Sequence, residues 1–174
     1  MIERRSMTST TANSQPSSAA RVIGVILMII GVIMIVSGAI AWGATSSQLK
    51  AQQMSVPGDA HSNAGKTVAG PFTAWSMQDT INMHATESLD GETYATLGTK
   101  VDEAKEAYGE DSDEAAALQN QRNLAQSASF LRASLFTSVL AFGVSFLVIG
   151  TGITAALTGW GFIAVANRRQ TAAA

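Results

Sequence analysis

The sequence predicts an all-α membrane protein: two transmembrane helices in an antiparallel hairpin, with a mostly helical extracytoplasmic domain between them. Three observations carry this. Val22–Trp42 is a run of 21 residues without charge, 12 of them Val, Ile or Leu. Ala133–Ala166 is a second uncharged run, and its central part, Leu135–Leu157, holds another 12 Leu, Phe, Val or Ile residues. The chain between the runs is acidic, whereas the chain outside them is basic. Roughly 20 apolar residues in a helix cross a hydrocarbon core about 30 Å thick, so each run suffices. On insertion scales the 12 strong formers of the first run sum to roughly −4 to −7 kcal/mol, with no central charge to oppose them. Two such runs in 174 residues leave too little chain to bury both in a soluble core.

The expected division is a disordered cytoplasmic tail at 1–20, a first transmembrane helix at 21–43, an acidic extracytoplasmic helical domain at 44–132, a second transmembrane helix at 133–166 and a cytoplasmic tail at 167–174. The net charge of −2 hides the asymmetry behind this topology. Arg4, Arg5, Arg21, Arg168 and Arg169 stand outside the runs against Glu3 alone, whereas Thr45–Arg132 carries six Lys or Arg and twelve Asp or Glu. Positive flanks face the cytoplasm, which puts both termini inside the cell membrane and the acidic segment outside. Lys50 and Arg132 on the outer flanks pull weakly the other way.

Met1–Ala20 is rich in Ser, Thr, Ala and Gln without apolar periodicity, hence the disordered tail. Ala39-Ile40-Ala41 has the small-x-small form of a signal-peptide cleavage site, and cleavage there would leave one span. Against this, the apolar run of about 20 residues exceeds the usual h-region of roughly 7–15. Thr45–Met54 prolongs the first helix until Val56-Pro57-Gly58 stops it. Pro57–Gly70 reads as loop, with Lys66–Val68 a weak strand candidate. Thr73 caps a helix to about Leu89, with Ala74, Met77 or Gln78, Ile81, Ala85 and Leu89 along one face. After Asp90-Gly91, Thr93–Tyr108 has helical spacing interrupted by Gly98, and Gly109 closes it.

Asp111 with Glu114 has capping-box spacing. No Gly or Pro follows before Gly143, which predicts one long helix leading into the second span. Ala133–Ala166 alone is about 50 Å of helix, so it must tilt or project beyond the bilayer. Trp42, Trp160 and Phe162 suit interfacial belts.

Both spans carry small residues every seven positions: Gly24, Gly31 and Gly38 in the first, Ser138, Ser145, Gly152 and Gly159 in the second. Small residues let helix backbones approach in lipid, and a sevenfold repeat favours a left-handed crossing near +20°. These seven residues are the expected packing seam, with a partner within the chain or outside it. Ala117, Leu124 and Leu131 continue the register outward.

Little else carries chemistry. There is no cysteine, which excludes disulfides, thiolate nucleophiles and Cys-ligated zinc. Neither span holds an ionisable group, as carriers and proton pumps need. Nothing resembles a nucleic-acid surface. The two histidines, His61 and His84, with Glu87 or Asp79, are the residue types of a two-His, one-carboxylate iron site, and Glu87, three residues after His84, shares its helix face. The acidic run from Asp102 to Glu114 lacks the order of an EF-hand and reads as a solvated helix face and a cap. Phe72, Trp75 and Met77 after Pro71 read as an anchor on the outer membrane surface or a partner, or as packing against the long helix.

The stretch Ser127-Ala128-Ser129-Phe130-Leu131-Arg132-Ala133-Ser134-Leu135-Phe136-Thr137 with Ala141-Phe142-Gly143-Val144, and the stretch Val68–Ala74 followed by Ile81 and His84, resemble a family of small actinobacterial membrane proteins. Members are commonly labelled as aromatic ring-opening dioxygenases, after the small subunit of protocatechuate 4,5-dioxygenase. The resemblance covers roughly Val22–Leu157 and implies a two-span protein with an external helical segment. It supplies no residue to carry over as catalytic. The function expected is that of a non-enzymatic integral membrane protein, a structural or accessory subunit packing with a larger membrane or envelope complex. The alternative, which the family label implies, is an extracytoplasmic metal-dependent ring-opening oxygenase using His61, His84 and Glu87. The partners expected are the lipid bilayer and a membrane or envelope protein, with no cofactor and no nucleic acid; a homo-oligomer is compatible with the seam.

Overall fold

A computed structural model describes residues 17–171. The described chain forms four helices: α1 (Ser17–Ala51), α2 (Pro71–Ser88), α3 (Tyr94–Tyr108) and α4 (Asp113–Thr171). α1 and α4 are both long and apolar enough to cross a membrane. Most of the tail expected at 1–20 lies outside the described residues, but α1 already includes Ser17–Ala20. At the other end α4 continues through Arg168 to Thr171, where a tail from 167 was expected. The chain separates into two compact units, one built from the residues up to Val36 and those from Ile149 onward, the other from Ser37–Val148.

In the first unit α1 and α4 run antiparallel, Gly24 beside Gly159 and Gly31 beside Gly152. Here the absence of a side chain is a steric requirement. A Cβ on Gly24 would lie 2.6 Å from the Gly159 carbonyl oxygen, and one on Gly31 would lie 2.5 Å from the Gly152 oxygen and 2.6 Å from the Ala156 nitrogen. The contact is therefore backbone against backbone. The branched side chains of α1, among them Val22, Ile26, Ile29 and Ile33, are left exposed around it.

The second unit has a core of Leu49, Val56, Val68, Ala74, Leu135 and Phe142, with Trp42, Met77, Ile81 and Val139 packed against it. Val56 and Val68 come from the segment between α1 and α2. It is tied by an antiparallel bridge between Ser55 and Thr67, with Val56 N donating to Lys66 O and Val68 N to Met54 O, each at 2.9 Å. The weak strand signal at Lys66–Val68 thus corresponds to this short pairing, which aims two β-branched side chains inward.

α2 begins two residues before the expected Thr73. Pro71 takes the first helical position, which its fixed φ suits. Thr73 acts one turn in, its Oγ1 accepting from Ala69 N at 3.0 Å and Gly70 N at 3.1 Å. The face read from the sequence faces inward: Ala74 and Leu89 are buried and Met77, Ile81 and Ala85 half-buried. Ser76 and Thr80 are also buried, their hydroxyls satisfied by Ser62, Asn63 and backbone carbonyls. Gly91, at φ +76, turns the chain away.

α3 is unbroken. Thr93 caps it, its Oγ1 accepting from Thr96 N at 3.2 Å while Thr96 Oγ1 accepts from Thr93 N at 2.9 Å. Thr93→Ala is expected to remove about 1 kcal/mol of stability, measurable as a lower thermal midpoint with the helix content of the folded state unchanged. Gly98 does not interrupt the helix: the Arg122 guanidinium from α4 lies over it, 3.2 Å from where a Cβ would be, and 4.4 Å from the centre of the Tyr94 ring. Leu97, Leu89 and Ala125 form a second small core beneath.

Two details of α4 differ from expectation. The cap is Ser112, whose Oγ accepts from Ala115 N at 3.3 Å; Asp111 and Glu114 are exposed and form no box. The line Ala117, Leu124 and Leu131 is exposed, and burial falls on Ala115, Ala125, Ala128 and Leu135 instead. An α-helix slips about 20° per heptad against a strict sevenfold repeat. A register set by Gly159 has therefore turned roughly a quarter circle by Leu124.

Candidate interface

Of the seven residues expected in the seam, Gly24, Gly31, Gly152 and Gly159 meet in the first unit, as described. In the second unit Gly38 and Ser145 are buried and Ser138 is half-buried. The hydroxyls along α4 turn back onto their own helix: Thr137 donates to Ala133 O, Ser138 to Ser134 O, Ser145 to Ala141 O and Thr154 to Gly150 O. Such bonds satisfy the hydroxyl locally, so it adds little polarity to an apolar helix.

The aromatic residues after Pro71 divide three ways. Met77 packs into the core. Trp75 sits with its ring centre 6.2 Å from that of Phe136 on α4. Phe72 is 78% exposed and forms one wall of an apolar groove of about 400 Å³. Trp42 of α1, Pro71 of α2, and Val139, Phe142, Gly143 and Phe146 of α4 complete it. Trp42 meets Phe142 edge to face at 4.8 Å, which fixes the floor. Gly143 contributes only backbone to the lining, and a Cβ there would have no atom within 4 Å. No charged side chain lines the groove.

The histidines do not converge with Glu87. His84 Nε2 donates to Asp59 Oδ2 at 2.7 Å, and His61 Nδ1 lies 3.8 Å from Asp79 Oδ2. Glu87 is exposed, and among the described residues no group of three or more His, Asp or Glu could hold a metal ion. The two pairs fasten the segment before α2 to α2 itself, alongside the Asn63–Ser76 bond of 3.0 Å. The sequence reading paired His84 with Glu87 on one helix face and missed Asp59, which is 25 residues away in the chain. The groove was also missed, because its walls come from three distant segments.

The hydrogen bond from His84 holds the Asp59 carboxyl below its ordinary value. A depressed carboxylate contributes stability above its unfolded pKa of 3.8 and loses it as pH falls through the lower folded value. His84→Asn is therefore expected to flatten the decline of the thermal midpoint below about pH 4. Melting both proteins across that range checks this, and the effect should be small because the pair is exposed. The Lys100 hydrogen bond likewise lowers Glu92, and Glu92 raises Lys100.

No family model, curated protein or solved structure matches the chain.

Proposed function

We propose that this chain is a non-enzymatic integral membrane protein of the bacterial cell membrane. It spans the bilayer through Val22–Trp42 of α1 and Leu135–Leu157 of α4, with both termini cytoplasmic and the acidic segment outside. Its role in this reading is that of a structural or accessory subunit of a larger membrane or envelope complex. The observation that carries the membrane reading is the exposed apolar surface of α1 and α4. Only 17% of the most apolar stretch of either helix is buried, and Val22, Ile29, Ile33 and Ile40 on α1 and Leu140, Phe146, Leu147 and Leu157 on α4 are all more than half exposed. Water opposes such a surface and lipid accepts it. The basic flanks and acidic middle supply the orientation. The accessory role is supported by spans without ionisable groups, which favour packing over transport.

Two experiments test this. The chain lacks cysteine, so single cysteines at Ser62 and at Ala172 can be labelled in intact cells with an impermeant maleimide. Labelling at Ser62 alone is expected; labelling at Ala172 alone would invert the topology. A protein tagged after Ala174, extracted in mild detergent, is expected to bring down a stoichiometric companion identified by mass spectrometry. Recovery as a lone monomer or homo-oligomer would overturn the accessory role.

A further inference from the structure

We infer that the groove beside Trp42 is a seat for one lipid acyl chain, a step that rests on the membrane reading above. Its α4 wall, Val139 to Phe146, lies wholly within the uncharged run Ala133–Ala166, and Trp42 closes the apolar stretch Val22–Trp42 of α1. The groove thus lies in the outer half of the proposed spans, with Trp42 at the end of α1's span, where tryptophan is favoured. Phe72 reaches into the same zone from the first turn of α2, exposed over most of its surface. The lining offers a slot of about 400 Å³ with no charged group, so it selects against headgroups and for hydrocarbon. A folded protein partner is the poorer fit. A specific interface buries about 800 Å² on each side, and this slot is walled by seven residues. Gly143 adds no side chain to the lining, and any larger residue there would extend into open space.

The test uses the full chain in phosphatidylcholine vesicles whose acyl chains are brominated near the headgroup end. One form keeps Trp42 as its only tryptophan (Trp75→Phe, Trp160→Phe); a second keeps only Trp160. Bromine is expected to quench both. Adding Gly143→Leu, which puts a side chain into that open space beside the lining, is expected to lower the quenching of Trp42 and leave that of Trp160 unchanged. Phe72→Ala, at an exposed position, is expected to raise the quenching of Trp42 and serves as a second variant if the leucine disturbs folding. Quenching of Trp42 that ignores both substitutions, with Trp160 still quenched, overturns the seat while the membrane reading stands. Loss of quenching at both tryptophans, with the protein washed from the vesicles by alkali, overturns the membrane reading itself.

Discussion

Gly31→Leu is expected to force α1 and α4 apart in the first unit and to lower stability by about 2–3 kcal/mol. The position tolerates no side chain, because even a methyl group would stand 2.5 Å from the Gly152 oxygen and 2.9 Å from the Ala156 Cβ. Two of the three nearest atoms belong to backbone, which cannot rotate out of the way as a side chain can. The helices must separate, and in lipid the contact is driven mainly by close van der Waals packing, which separation forfeits. Gly150→Leu is the control. It changes the same residue type in the apolar part of the facing helix α4, but a Cβ there meets nothing within 4 Å. Thermal unfolding of the two variants in detergent should show a large drop for Gly31→Leu and little change for Gly150→Leu. Equal drops would mean that the glycines matter for helix flexibility and not for close approach.

Phe142→Ala is expected to be the most damaging single truncation in the second unit, at about 3–4 kcal/mol. Phe142 is 1% exposed and one of the largest fully buried side chains. It belongs to the cluster that joins α1 through Leu49, the bridged segment through Val56 and Val68, and α2 through Ala74. Truncation removes the ring from that cluster and takes away the edge-to-face partner of Trp42. Two readouts should move together: the thermal midpoint falls, and the emission of Trp42, isolated as the only tryptophan, shifts as its packing loosens. Phe146→Ala, 71% exposed only four residues along α4, should leave the midpoint nearly unchanged.

What the sequence made legible was whatever repeats locally. The two apolar runs are long enough to outvote any single residue, and Gly24 and Gly31 recur at a spacing that a helix turns onto one face. The α2 face from Ala74 to Leu89 was readable for the same reason. The reading failed where a decision depended on contacts distant in the chain or on fine competition. Asp111 and Ser112 are adjacent acceptors, and composition could not say that Ser112 would win the Ala115 amide. Gly98 looked like an interruption because glycine disfavours helix by about 1 kcal/mol; the guanidinium that occupies the space beside its bare backbone comes from Arg122 on another helix. His84 was matched to a neighbour on its own helix, whereas the fold gave it Asp59. The register of Ala117, Leu124 and Leu131 failed because the sevenfold repeat was extended over more heptads than helix geometry sustains.

The antiparallel glycine contact also has a history within the life of each molecule. Gly31 meets Gly152, about 120 positions later in the chain. A ribosome adding roughly 5–20 residues per second needs on the order of ten seconds to cover that distance. Throughout that interval Gly24 and Gly31 have been made and their partners on α4 have not. Until α4 is made, α1 thus has its closest-packing stripe vacant. Slower translation through α2 and α3 lengthens the interval before α4 can meet α1.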